Sequence, residues 1–359
     1  MAKDTMKAML YRSPGDYGLT DVPLPKIVEP DDVILRPTLN LICTSDVHIC
    51  QGHMSTTVTP PKIQGHEFCG VIEEIGPAVK GFKVGDRVVV NAASKCGECA
   101  NCKKGKPARF CLTPGNGVFG GGGPNGAQAE YIRLPKGAVY MNPIPDDQTE
   151  EDVILIPDML CTGHYGVTEV GLGLGDTLVV IGCGPVGMST CLVARLFNPK
   201  TIIAVDVVDY LLEAAVENGV ADYTINSAKE NVVERVREIT GGAMATTVIE
   251  TVGLNVTFNM AIQVAGFHGR FCSVALFSEP ISVPVMNLAV VKNLKMFVGI
   301  QESAGRDLLF EYSRLGKIID PKFMLTHRAP LNDIEQAYEI FSKKQDGCIK
   351  FAITPWEDR

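Results

Sequence analysis

The sequence predicts an α/β protein in two parts, a β-rich region followed by a doubly wound parallel sheet, and two observations carry this. Short apolar runs broken by Gly and Pro fill the first 150 or so residues, as in "GVIEEIGPAVKGFKVGDRVVV", the texture of strands joined by tight turns. From about residue 158 strand-like and helix-like segments alternate instead, the pattern of βαβ units around a parallel sheet covered on both faces. At 359 residues the chain exceeds what one core usually serves, so two domains are expected.

Taken in order, "IPDMLCTGHYGVTEVGLG" opens the second region with a helical pattern. Strand "TLVVIG", helix "GPVGMSTCLVARLF", strand "TIIAVD", helix "YLLEAAVENG" and strand "DYTINS" follow. Helix "NVVERVREITGG", strand "TTVIETVG", helix "VTFNMAIQVA" and strand "GRFCSVAL" complete the alternation. Near the end, "LNDIEQAYEIFSKKQ" pairs an Asn or Asp cap with apolar residues at helical spacing, and "CIKFAIT" reads as a last strand. The glycine-rich "FGGGGPNG" reads as a mobile loop.

Composition narrows the function classes. Hydrophobic residues are 46% and charged residues 21% of the chain, as in well-packed globular proteins. A net charge of -8 argues against a nucleic-acid partner, which calls for a basic face. The N-terminal segment has no apolar run of signal-peptide length, and no 18-residue apolar stretch occurs, so a cytoplasmic protein without a membrane partner is expected. Of the twelve cysteines, Cys69, Cys161, Cys183, Cys191, Cys272 and Cys348 lie in apolar contexts and read as small buried hydrophobes.

Three motifs carry chemistry. In "TLVVIGCGPVGM" the turn Gly182, Gly184, Pro185, Val186 and Gly187 has GxGxxG spacing between a strand and a helix, and "TIIAVD" ends on Asp206, 19 positions after Gly187. Glycines there let a backbone approach a pyrophosphate at the helix N-terminus, and the carboxylate takes the ribose hydroxyls. Asp206 would face a 2′-phosphate with no Lys or Arg before Lys229, so NAD(H) is expected over NADP(H). In "KCGECANCKKGKPARFC", Cys96, Cys99, Cys102 and Cys111 put four thiols in one loop, which suits a structural zinc with no open position. Finally, "ICTSDVHIC" and "QGHEFCGVIEEIG" bring Cys43, Ser45, Asp46, His48, His66 and Glu67 into two short segments.

Together "CTSDVH", "GHEFCGVIEEIG", "VGDRV", the four-cysteine loop, "GAQAEY", "GCGPVGM" and "ETVG" resemble, over nearly the whole length and in order, the zinc-dependent alcohol dehydrogenases of the medium-chain dehydrogenase/reductase superfamily. The resemblance implies a GroES-like catalytic domain from residues 1–157 and 303–359, a Rossmann NAD-binding domain from 158–302, and an active site in the cleft between them. It implies two zinc ions per subunit, the catalytic one held by Cys43 and His66, with Glu67 beside it as an outer or alternate ligand. Asp158 matches the aspartate ligand of bacterial secondary-alcohol members, and Cys161, three residues on, competes for the same role. Ser45, the nicotinamide ribose and His48 would form a proton relay, with Asp46 orienting His66.

The expected reaction is hydride transfer between NAD(H) and a secondary alcohol and its ketone or aldehyde. A polyol, vicinal-diol or hydroxysteroid dehydrogenase with the same machinery, or a non-catalytic dinucleotide-binding protein, are the alternatives. A homotetramer is favoured over a dimer. Aspartate at the third ligand position together with the cysteine loop and an acidic NAD signature mixes two branches of the family. Thr44, Gln51, His53, His164 and Leu288 border the implied cleft; His53 and His164 read as ordinary polar lining.

Overall fold

The computed structural model describes residues 4–54, 58–283, 285–286, 290–300, 303 and 305–356; Leu288 lies outside them. Contacts divide the chain into two compact units, Met1–Asp158 with Met324–Arg359, and Met159–Phe323. The changeovers expected from sequence are at 157/158 and 302/303.

The first unit holds β1 (Thr5–Ser13), β2 (Asp16–Pro23), β3 (Val33–Ile42), α1 (Thr44–Gln51), β4 (Lys62–Ile63), β5 (Glu67–Ile75) and β6 (Arg87–Val90). The short α2 (Ala100–Lys103), β7 (Ile132–Leu134), β8 (Met141–Pro143) and α3 (Glu150–Val153) follow. The second unit holds α4 (Cys161–Glu169), β9 (Thr177–Ile181), α5 (Pro185–Arg195), β10 (Thr201–Asp206), α6 (Asp209–Glu217) and β11 (Tyr223–Asn226). It continues with α7 (Val232–Ile239), β12 (Ala245–Glu250), α8 (Asn255–Val264), β13 (Ala265–Ser273), β14 (Lys295–Val298) and α9 (Arg306–Arg314). The chain then returns to the first unit with β15 (Leu325–Pro330), α10 (Ile334–Ser342) and β16 (Lys350–Thr354).

In the second unit six parallel strands run in the order β11-β10-β9-β12-β13-β14. This is the Rossmann order, in which strand direction of growth reverses between β9 and β12 and ligands bind at the carboxyl ends beside that switch. The apolar runs read as strands are buried on both faces: Leu178, Val179, Val180, Ile202, Ile203, Val248 and Ile249 are all closed to solvent. That burial is why they read as near-continuous hydrophobic segments.

The first unit is a mixed, mainly antiparallel assembly. One sheet runs β15-β16-β3-β5-β6-β8, with β7 also paired to β3, and β2-β1-β4 form a second sheet. β16, from the C-terminal segment, lies antiparallel to β3 with Phe351 opposite Ile42. This pairing brings β16 to the end of β3, next to the segment that begins with Cys43. The glycine-rich run read as mobile is instead packed. A Cβ at Gly126 would stand 2.2 Å from the Gln64 carbonyl oxygen and one at Gly123 2.4 Å from that of Gly117, so glycine serves close backbone approach here.

Candidate functional site

α1 begins where β3 ends, and its first turn is built by Asp46. The Asp46 carboxylate accepts the Cys43 amide at 3.0 Å through Oδ2, reaching back across the helix start in the manner of a capping box. A carboxylate in the first turn also suits the helix dipole. The same side chain presents Oδ1 to His66 Nδ1 at 3.2 Å. Nδ1–H therefore donates to Asp46, and His66 Nε2 faces the other way.

On that other side the structure gathers donor atoms of Cys43, His66, Glu67 and Asp158 within 4.8 Å of one another. His66 Nε2 lies 3.4 Å from Asp158 Oδ2 and 3.5 Å from Ser45 Oγ. Two ligands about 2.0–2.3 Å from a tetrahedral zinc are about 3.3–3.8 Å apart, so the His66–Asp158 spacing fits a shared ion. One thiolate, one imidazole and one carboxylate would neutralise Zn²⁺ and leave a position open. Asp158 sits in a π-helical turn, Ile156–Leu160, ahead of α4. Cys161 is fully buried at the start of α4 and is not among the gathered donors.

Charges around the site act on one another. Burial disfavours charge on His66, but Asp46, Cys43 and Asp158 outweigh it and hold the ring well above its ordinary value. Burial pushes the Asp158 carboxyl up, yet His66, Lys350 and Arg109 bring it below its usual range. Glu67 is fully buried, and its Oε1 meets Lys350 Nζ at 2.5 Å. Burial opposes the ammonium, while Glu67 first and Cys43 next hold Lys350 above its ordinary value.

The sequence reading missed Lys350. A lysine inside the apolar "CIKFAIT" is the signal that was there to find, because a charge in a buried strand needs a partner. Glu67 Oε2 has no hydrogen-bond partner among the described residues, so Glu67 belongs to the donor cluster with one oxygen committed to Lys350 and one open.

His48 and Ser45 lie three residues apart on α1, on one helical face. His48 Nδ1 is 3.1 Å from His53 Nδ1, with the rings tilted at 49°. Gly52 ends α1 in the left-handed region at φ 90°, which turns the chain so that His53 folds back over His48. His53 is thus a partner of His48, beyond the polar lining read from sequence. Thr44 and Gln51 are exposed, and His164, half-buried, belongs to the second unit.

The four cysteines of the loop also converge, with donor atoms of Cys96, Cys99, Cys102 and Cys111 within 4.8 Å. Cys96 Sγ accepts the amides of Glu98 (3.4 Å) and Cys99 (3.3 Å), and Cys99 Sγ accepts that of Leu112 (3.4 Å). N–H donors aimed at sulfur suit thiolates. A Thr113 hydrogen bond and then the Glu98 and Cys99 amides pull the Cys96 thiol down to about 6. Four thiols from one short loop suit a closed, tetrahedral cation site.

In the second unit the strand β9, the turn and α5 follow the sequence reading. Gly182 has φ +93°, and a Cβ on Gly187 would stand 1.9 Å from the Gly182 carbonyl oxygen, so the helix crosses the turn too closely for any side chain. Gly184, the N-cap before Pro185 and Val186, has open space where its Cβ would be. That is where a phosphate could reach backbone amides at the helix start. Asp206, at the end of β10, accepts the Cys183 amide (2.7 Å) through Oδ2, and those of Val207 (2.7 Å) and Val208 (3.1 Å) through Oδ1. Lys229 is paired with Asp209 at 2.7 Å, which leaves Asp206 as the charge at the strand end.

The chain is similar to known proteins. Residues 29–146 match the alcohol dehydrogenase GroES-like domain and residues 185–308 the zinc-binding dehydrogenase domain. An alcohol dehydrogenase from Cupriavidus necator is 33% identical over 98% of this chain and 99% of its own length. An L-threonine 3-dehydrogenase from Bacillus subtilis is 30% identical over 99% and 100%. Among solved structures, the apo form of a zinc-dependent alcohol dehydrogenase from Streptococcus pneumonia superposes with a TM-score of 0.89, at 32% identity over 97% of this chain and 98% of that one.

Proposed function

Since this chain belongs to the zinc-dependent alcohol dehydrogenases of the medium-chain dehydrogenase/reductase superfamily, we propose that it interconverts a secondary alcohol and its ketone with NAD(H). In this reading Cys43, His66 and Asp158 hold the catalytic zinc, and Cys96, Cys99, Cys102 and Cys111 hold a second, structural one. The gathering of Cys43, His66 and Asp158 donors, with Ser45 Oγ 3.5 Å from His66 Nε2, carries the reading. The choice of Asp158 over Cys161 is supported by the donor cluster that includes the first and leaves out the second.

Zinc held there supplies Lewis acidity, which lowers the pKa of an alcohol hydroxyl and polarises a carbonyl in the reverse direction. The chain's own residues do the rest. Asp46 fixes the tautomer of His66, so that Nε2 is available to the ion. Ser45 accepts the proton of the substrate hydroxyl as it passes its own on toward His48. His48 lies on the same face of α1 and carries the proton outward, being able to exchange it near neutral pH. Gly182, Gly184 and Gly187 admit the dinucleotide backbone, and Asp206 binds the ribose hydroxyls and repels a 2′-phosphate.

Similarity to an L-threonine 3-dehydrogenase supports a second substrate class, vicinal amino alcohols. A homotetramer in the cytoplasm completes the proposal. A screen of purified protein with NAD⁺ and NADP⁺ against secondary alcohols, diols, polyols, sterols and threonine tests it. Turnover of a secondary alcohol, faster with NAD⁺, is expected. Activity confined to NADP⁺, or no alcohol oxidised by zinc-loaded protein, would refute it.

A further inference from the structure

The ring of His66 is aimed by Asp46, and Asp46 is itself held. Besides the Cys43 amide, its Oδ2 accepts the side-chain amide of Gln128 at 3.3 Å. The same Gln128 Nε2 donates to the Leu41 carbonyl at 3.3 Å. On its other side, Gln128 Oε1 accepts the Tyr338 hydroxyl at 2.7 Å. Gln128 is 0%, Asp46 1% and Tyr338 3% exposed, so water does not compete for these bonds. The orientation of the amide follows from its partners: carboxylate and carbonyl require the NH₂ group, and a neutral phenol then meets the amide oxygen as donor.

Gln128 also grips the approach to His66. Gly65 has φ +96°, and a Cβ there would stand 2.6 Å from Gln128 Cγ. The Gln128 amide N–H donates to the Gln64 carbonyl at 2.9 Å and that of Ala127 to Gly65 at 3.0 Å. One residue therefore holds both the segment that delivers His66 and the carboxylate that orients its ring. Tyr338 comes from α10, 210 residues away in sequence. Its ring already packs in a core cluster with Met9, Ile42 and Val47. A phenylalanine would fill that space as well, so the hydroxyl is there for the amide.

We propose that Gln128 and Tyr338 are positioning residues of the metal centre: the Tyr338 hydroxyl fixes the Gln128 amide, which holds Asp46 and, through it, His66 in the zinc-binding orientation. This rests on the reading of His66 as a zinc ligand. Partners of a metal-bound histidine beyond the ligands themselves affect metal affinity by about 10- to 100-fold, and a fully paired buried network loses more than one bond when a member is removed.

Competition of the zinc-loaded, full-length chain with a chelator of known affinity, read as metal per chain, tests the proposal, with the four-cysteine metal as internal reference. Gln128→Leu is expected to weaken retention at the Cys43–His66–Asp158 centre about 10-fold, and Tyr338→Phe, one bond further out, by roughly 3-fold. In an Asp46→Ala background Tyr338→Phe should add nothing. Wild-type retention in both single variants overturns the proposal. So does a Tyr338→Phe loss that persists undiminished without Asp46, since that marks general loosening of the core. His66→Ala separates the two levels. If it keeps this zinc, His66 is no ligand and both readings fall; if it loses the zinc while Gln128→Leu and Tyr338→Phe bind as wild type, only the present inference fails.

Discussion

Removing the ammonium of Lys350 leaves the buried Glu67 carboxylate, one of the gathered donors, without its counter-ion. Lys350 is 1% and Glu67 0% exposed in their side chains, with Nζ and Oε1 2.5 Å apart. At an effective dielectric near 20, two unit charges at that separation attract by about 7 kcal/mol. Desolvating the two ions costs several kcal/mol each, so the pair contributes little net stability as a pair. Breaking it is different. Lys350→Met leaves Glu67 buried, one oxygen already without a partner, beside Asp158 and with its counter-ion gone, at a cost of about 3–5 kcal/mol.

Urea unfolding of the metal-free protein reads this cost as a shift in the transition of the first unit, and the cycle with Glu67→Gln isolates the coupling. The double variant Lys350→Met/Glu67→Gln should recover most of the loss, because no unpaired charge remains. Adding zinc should also restore part of it, by giving the stranded carboxylate a cation. A loss below about 1 kcal/mol in Lys350→Met, or a double variant no more stable than the single one, would refute the reasoning.

Ser45→Ala should slow turnover by roughly 10² or more with both zinc ions retained; unchanged steady-state rates would remove Ser45 from the relay. His48 is held below its ordinary value by burial foremost and by His53 second, so His53→Gln should move the acid limb of kcat/KM for alcohol oxidation to higher pH. An unmoved limb would show that His53 does not act on His48. The folded chain binds fewer protons at His48 than the unfolded chain between the depressed and ordinary values. Its stability contribution is therefore intact above pH ~6.5 and lost as the pH falls through the folded value; a loss on raising the pH would contradict the sign. Asp206→Ser should narrow the preference for NAD⁺ by lifting repulsion of the 2′-phosphate, and identical NAD⁺/NADP⁺ ratios in the two proteins would exclude that role.

How far the sequence reached follows the range of the interactions. The dinucleotide turn was legible because β9, the glycines and α5 lie within twenty or so residues and each glycine answers a local need: positive φ at Gly182, close crossing at Gly187. The four-cysteine loop was legible for the same reason. Asp158 and Cys161 were not separable, since three residues apart on an ordinary helix they share a face. The π turn at Ile156–Leu160 changes that spacing, and only Asp158 joins the other donors. Lys350, Gln128 and Tyr338 went unread because their partners lie 283, 82 and 210 residues away. "FGGGGPNG" misled in the other direction, since glycine marks close packing as readily as freedom.

The most direct test of the central claim is anomalous diffraction at the zinc edge from crystals of the zinc-loaded protein. Two peaks per chain are expected, one enclosed by Cys96, Cys99, Cys102 and Cys111 and one touching Cys43 Sγ, His66 Nε2 and the Asp158 carboxylate. A single peak within the cysteine loop, or a second one bound by other side chains, would contradict the account.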